Sequence, residues 1–329
     1  DGFDTSYLWE EIWQRDTWID IITTFIEYQL ISQKYPLPNK ENIIFPRYHQ
    51  FDSVQKLVDE TKQNGAGKNY LAQQSTGSGK SNTISWLGYK LRSLHDSKDA
   101  EIFDSILILS DRVNIVNQLT NTVMQFEQTS GIVSAVKDSK ELAKNLLEKG
   151  KIIISTQQKF PFVLEHIKKV NGKKFAIIID EAHSSQSPKS REKIQEVLTT
   201  NLRDETGDED IIDMIEKEMD IRGDQNTISY YAFTATPKKN TLKLFGVDIG
   251  GKENVPFIKY SMKQAIEEGF ILDVLRKYST YERHFGILKT SSEDKTVEGK
   301  KALRALLKYV DLHHLNLSKK SEIIVEHFK

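Results

Sequence analysis

Residues 73–81 read QQSTGSGKS and follow the apolar run Tyr70-Leu71-Ala72. Glycines at 77 and 79 let backbone N–H groups curl around an anion with no Cβ in the way. A helix starting at Lys80 would add its positive N-terminal end to the same place. Lys80 would then reach the outer phosphates, and the Ser81 hydroxyl would hold Mg²⁺. Thr76, Gly77, Ser78, Gly79, Lys80 and Ser81 are therefore read as a phosphate cradle. The full G-x-x-x-x-G-K-[ST] pattern would begin at residue 74, where this chain has Gln74. A second stretch, FAIIIDEAH at 175–183, supplies the complementary chemistry. A buried strand would deliver Asp180 and Glu181 together. Asp180 would hold Mg²⁺, through water, because that ion keeps much of its hydration shell. Glu181 would accept a proton from the water attacking a γ-phosphate. A surface Asp-Glu pair opening a turn is the plainer reading, but the apolar run before it and the phosphate loop upstream argue against that.

These groups need elements to position them. Strands are expected at 69–73, 105–110, 131–136, 151–155, 175–180 and 228–234, with amphipathic helices beginning near Ser81, Arg112, Ser139, Gln157 and Lys189. Short apolar strands separated by helices predict an α/β fold whose mainly parallel sheet is covered on both faces. Sites in such sheets gather at the carboxyl ends of the strands, and each motif falls just after a strand. Residues 5–33 read as helix from their mixed three- and four-residue apolar steps. Pro36, Pro38 and Pro46 then mark a linker. Residues 203–225 form an acidic insertion to which no chemistry is assigned. SMKQAIEEGF, from residue 261, reads as a helix closing the α/β unit, followed by an alternating strand-like stretch and two charged helical segments.

At 329 residues the chain has room for about two domains. It has no cysteine, which excludes disulfides and thiolate metal sites. With 46 basic and 47 acidic residues it has no global basic field, so any nucleic-acid contact must come from a local patch. No run approaches a membrane span and no signal peptide is evident, which fits a cytoplasmic protein. The chain starts without methionine and stops inside a helix-like segment, and so reads as a piece of a longer polypeptide.

STGSGKS, DEAH at 180–183 and FTATP at 233–237, in that order, resemble motifs I, II and III of superfamily 2 helicases and translocases. Upstream, RYHQ resembles the glutamine motif of that superfamily, which implies that Gln50 reads the adenine edge with Arg47 as companion. A side-chain amide can donate to one ring nitrogen and accept from the exocyclic amine, which favours ATP over GTP. SYLWEEIWQRDTWID, FPRYHQFDSVQKLV, SDRVNIVNQL, STQQKF, DEAHSSQS and YSMKQAIEEGFILDV together resemble the restriction (motor) subunit of type I restriction-modification enzymes, from about residue 6 to the end.

That resemblance implies a RecA-like P-loop domain using ATP and Mg²⁺, double-stranded DNA as partner, and assembly with methyltransferase and specificity subunits. It implies a helical linker at 1–45 following a nuclease, a first motor domain at 46–270, and at 271–329 the entry to a second. It implies catalytic roles for Lys80, Asp180 and Glu181, and Mg²⁺ at Ser81 and Asp180. Asp111, Arg112, Thr156 and Gln157 resemble DNA-backbone contacts, and Thr234 and Thr236 would couple nucleotide state to the DNA face. His183 would relay between the carboxylates and that segment. No nuclease constellation and no arginine finger are found in the sequence. Two other readings stand beside the translocase: a different superfamily 2 helicase, and a nucleotide-binding module without turnover.

Overall fold

A computed structural model describes residues 6–31, 40–111, 113–126, 131–136, 148–169, 172–182, 211–222, 227–250 and 254–273, with isolated positions elsewhere. The chain divides into two units, Asp1–Leu272 and Asp273–Lys329. The second unit, with the strand and helices expected there, lies almost wholly outside the described residues.

The first unit opens with a turn of π-helix at Leu8–Ile12, helix α1 (Arg15–Asp20) and a second π-turn at Ile21–Phe25. The wide i→i+5 bonds, Trp13 N–H to Leu8 O at 2.7 Å and Ile26 N–H to Ile21 O at 3.0 Å, fit the uneven apolar spacing seen in the sequence. The expected helix over 5–33 ends here. Strand β1 (Glu27–Ile31) follows and pairs antiparallel with β2 (Lys40–Ile44), from Glu27↔Ile44 to Ile31↔Lys40. β-branched Ile26 is already extended at φ −84° and ψ 131°, and its neighbours leave the helix with it.

The α/β layers come next: α2 (Tyr48–Asn64), β3 (Asn69–Gln74), α3 (Lys80–Arg92), β4 (Ser105–Ser110), α4 (Val113–Gln125), β5 (Val133–Ala135), β6 (Lys151–Thr156), α5 (Phe160–Lys169), β7 (Phe175–Asp180), α6 (Ile211–Arg222), β8 (Ile228–Thr234), α7 (Lys239–Phe245), β9 (Ile258–Tyr260) and α8 (Met262–Glu267). Strands β3 to β9 make one sheet in the order β5-β6-β4-β7-β8-β3-β9, and its pairs are parallel. This is the RecA-like α/β arrangement expected. The short β9 was not expected, since three residues carry too little pattern. The helix expected from Lys189 lies outside the described residues, and that from Ser139 is described only in part.

Strands β4, β7 and β8 are buried along their whole length, because helices cover both faces. Alternation sorts their side chains into two cores. Tyr70, Ile106, Ile108, Ile178, Tyr231 and Phe233 pack with α2, α3 and α4 through Leu57, Ile84, Trp86 and Leu119. Leu71, Leu107, Leu109, Ile177, Ile179 and Tyr230 pack with α5, α6 and α7 through Phe160, Val163, Ile215 and Phe245. Ile21 and Phe25 are buried in the first core, with Phe25 against Trp86 at 5.3 Å. Among the described residues no helix is long and apolar enough to cross a membrane.

Candidate nucleotide site

Parallel pairing fixes where the motifs meet. Ala72 lies beside Phe233, and Phe233 beside Asp180, so β3, β8 and β7 release their following residues at one edge. The next row over, Ser110↔Thr156 on β4 and β6, brings Asp111 and Thr156 to that edge as well. Arg112 and His183 lie outside the described residues.

The loop after β3 is wound by Gly77 at φ +80° and Gly79 at φ +86°, values at which an L side chain is strained. Ser78 is buried and its hydroxyl donates to Ser75 O at 2.6 Å. Thr76 and Gly77 are exposed, and Gly79, Lys80 and Ser81 are half-buried at the start of α3. Lys80 Nζ sits 3.0 Å from Glu181 Oε1, with the lysine side chain only 10% exposed. Glu181 itself is left-handed at φ +55°, a conformation that costs about 1–2 kcal/mol in a non-glycine residue. The strain turns the chain sharply out of β7 and places the carboxylate toward the loop.

Asp180 is 5% exposed. Burial first, and the neighbouring Glu181 charge second, push its carboxyl up to about 6, while the Lys80 ammonium opposes them. Its Oδ1 has no protein partner. Its backbone carbonyl accepts from the Gln157 amide at 2.8 Å. Gln157, read from sequence as a DNA contact, is itself buried and ties β6 to the carboxylate pair. The third motif joins the same network: Ala182 N–H donates to Phe233 O at 3.0 Å, and Thr241 Oγ1 donates to Ala182 O at 3.3 Å. Thr234 is buried and accepts from Thr236 N–H at 3.2 Å, and Thr236 is exposed.

Gln50, expected to read a base, is 3% exposed in the first turn of α2. Its Oε1 accepts from Arg47 N–H at 2.9 Å and its Nε2 donates to Gly79 O at 3.0 Å. One end of the amide thus caps α2 at Arg47 and the other joins that helix to the phosphate loop. Next to it, the buried His49 ring meets Ser78 O at 3.0 Å through Nε2, and burial lowers its pKa. Gln74, the departure from the usual glycine, is the last residue of β3 and fully buried, and its amide donates to Ser53 Oγ at 3.0 Å. Sequence reading missed His49, Ser53 and Thr241. The signal for Ser53 was Gln74 itself, since a buried amide requires a partner.

The SWI2/SNF2 ATPase family profile matches residues 49–304. The chain belongs to this family. It is a superfamily 2 helicase-type motor domain, and membership implies the use of a nucleotide and typically of Mg²⁺. The residues fit that requirement: two left-handed glycines open the cradle, Lys80 supplies the cation, and Asp180 keeps an unpartnered buried oxygen beside it. Among the described residues no group of three or more His, Cys, Asp or Glu could hold a metal by itself. A sequence comparison with curated proteins finds no match. Among solved structures, the Hef helicase domain of Pyrococcus furiosus is 17% identical over 60% of this chain and 35% of that one, with a TM-score of 0.41. A nuclease-deletion mutant of the Type ISP restriction-modification enzyme LlaGI with a DNA substrate mimic is 18% identical over 74% and 22%, TM-score 0.42. An HsdR subunit fragment of a type I restriction enzyme from Vibrio vulnificus YJ016 is 18% identical over 68% and 32%, TM-score 0.40. The family member described here spans about a third or less of the length of these structures.

Proposed function

We propose that this chain is the ATP-hydrolysing first motor domain of a double-stranded DNA translocase, the restriction subunit of a type I restriction-modification enzyme. The observation that carries the reading is the meeting of Lys80, Asp180, Glu181 and the Thr234 strand end at one sheet edge, within flanking motifs that resemble that subunit. Mg-ATP would supply the phosphoanhydride bond whose hydrolysis drives movement. Lys80 would neutralise charge on the transferred phosphoryl group, and Ser81 and Asp180 would hold the ion. Arg47 and Gln50 would bind the adenine. In the structure Lys80 is held by Glu181. Phosphates compete for that ammonium, and the carboxylate so released is the one needed to take a proton from water. The Ala182–Phe233 and Thr241–Ala182 bonds would carry that change to Thr234 and Thr236, with Asp111, Arg112 and Thr156 facing DNA phosphates and His183 as the relay. The rest of the assembly, methyltransferase and specificity subunits in the cytoplasm, belongs to the same proposal, as does the division into linker, first motor domain and entry to a second.

The test is to measure phosphate release by the complete polypeptide on linear duplex, on single strands and on forked DNA, together with displacement of a triplex strand. Duplex-stimulated hydrolysis with triplex displacement and no unwinding of forks is expected. Unwinding of forks would favour a helicase, and binding of ATP without hydrolysis on any DNA would favour the module without turnover.

A further inference from the structure

The two left-handed glycines of the phosphate loop reveal which segments hold it. A Cβ on Gly79 would run into Gln50 Nε2, and one on Gly77 would lie 3.1 Å from Ile271 Cγ2. One glycine is thus packed by the first turn of α2, the other by the segment that follows α8. That segment is set by a tight turn: Gly269 is left-handed at φ +74°, and the N–H groups of Phe270 and Ile271 both donate to Ala265 O, at 2.9 and 3.2 Å. It ends at Leu272, the last residue of the first unit.

The two segments also hold each other. The Arg47 guanidinium carbon lies 4.4 Å from the Phe270 ring centroid. The His49 ring is tilted against Phe270 at 5.6 Å and stacked on Tyr260 at 3.8 Å and 5°. Tyr260 hydroxyl donates to Glu268 at 2.7 Å, and Ser75 N–H donates to Tyr260 O at 3.0 Å. A closed circuit runs from the loop through Gln50 and His49 to Phe270, and back through Ile271 to Gly77.

We propose that Phe270 and Ile271 are positioning residues of the nucleotide site, bracing the phosphate loop opposite Gln50 and making its geometry depend on the segment that leaves the domain. This rests on the nucleotide reading above. A loop with two positive-φ glycines has many unbound conformations, and ordering it on binding lowers affinity. Ile271 restrains Gly77, and Phe270 restrains Arg47 and His49. Neither touches Lys80 or Glu181 in the contacts above, so their loss acts on binding before chemistry.

The experiment measures Mg-ADP affinity by calorimetry, and KM and kcat for Mg-ATP with duplex DNA, in the complete polypeptide carrying Phe270→Ala, Phe270→Tyr, Ile271→Ala, Ile271→Val or Lys80→Ala. Phe270→Ala and Ile271→Ala should weaken Mg-ADP binding and raise KM about threefold to tenfold, the range of one stacking or cation–π contact for Phe270 and of a few lost methyl contacts for Ile271, with a smaller change in kcat. Phe270→Tyr and Ile271→Val should restore both. If Phe270→Ala fails to fold, Phe270→Leu keeps the bulk, removes the aromatic face and should show the same loss. Wild-type affinity and KM in the alanine variants, or a kcat loss with KM unchanged, would overturn the proposal while Lys80→Ala still loses binding. A wild-type protein that binds no nucleotide, or a Lys80→Ala protein that binds it equally well, would overturn the nucleotide reading and this one with it.

Discussion

Asp180 sets folding against its proposed function in one side chain. Its carboxyl is raised to about 6 by burial and by Glu181, against 3.8 for the ordinary group. Between about pH 4 and 6 the folded state therefore binds more protons than the unfolded state, so stability falls as pH rises through that window and stays reduced above it. Asp180→Asn removes the charge and should stabilise the metal-free protein at pH 7 by roughly 1–3 kcal/mol while abolishing Mg-ATP hydrolysis. Denaturant titrations at pH 4.5 and 7 check it: the variant's advantage should be present at pH 7 and small at pH 4.5. Gln50→Ala should lower the ATP-to-GTP ratio of kcat/KM more than it slows ATP turnover. Equal losses with both nucleotides would mean that Gln50, which already donates to Gly79 O, acts as loop support alone. The meeting of Lys80 with Asp180 and Glu181 was legible because few residue types suit the proposed chemistry and their spacing from a strand end is fixed. The bonds of Gln157 and His49 to the Asp180 and Ser78 carbonyls were not, because an amide or imidazole beside a strand end or helix start serves many ends.

At the scale of elements, one acid ties the N-terminal segment to two helices of the motor core, beside its apolar contacts. Asp20 accepts from Lys90 Nζ and from the Gln55 amide, each at 2.5 Å, joining α1 to α3 and α2. The Asp20 and Lys90 side chains are 19% and 20% exposed. Asp20→Ala leaves a largely buried ammonium and an amide without that partner and should destabilise the protein by roughly 1–3 kcal/mol, read as a lower denaturation midpoint at unchanged slope. Ile21 and Phe25 bury themselves beside it, whereas Ile19 and Ile22 are exposed, so the helical apolar spacing did not mark the buried face. The β1–β2 hairpin was hidden, because EYQLI suits helix and strand alike and its partner KENII lies beyond the prolines. The opposite holds for β4, β7 and β8, whose unbroken apolar runs admit little but strands buried on both faces.

For the whole molecule, alternate residues of those strands feed two cores, and their carboxyl ends gather the motifs at one edge, so the fold and the meeting of the motifs both followed from sequence. The contact of Ile271 with Gly77 did not, since close packing between distant segments leaves no periodic trace. A motor that closes two domains on one nucleotide gains a charge-neutralising arginine from the second, worth roughly 10³- to 10⁵-fold in rate. On the proposed two-domain reading, residues 1–329 alone should bind Mg-ATP weakly and release phosphate slower than the complete polypeptide by that order, with little response to duplex DNA. Comparable rates would mean that one domain suffices. The most direct test of the central claim is phosphate release by the complete polypeptide carrying Glu181→Gln, with and without linear duplex DNA, alongside its affinity for Mg-ATP. Removing the carboxylate frees Lys80 from its 3.0 Å ion pair and takes away the proposed proton acceptor. The variant should bind Mg-ATP at least as tightly as wild type, yet lose about 10²- to 10⁴-fold of its duplex-stimulated rate. A wild-type rate in that variant would contradict the assignment of Lys80, Asp180 and Glu181 as the site of hydrolysis.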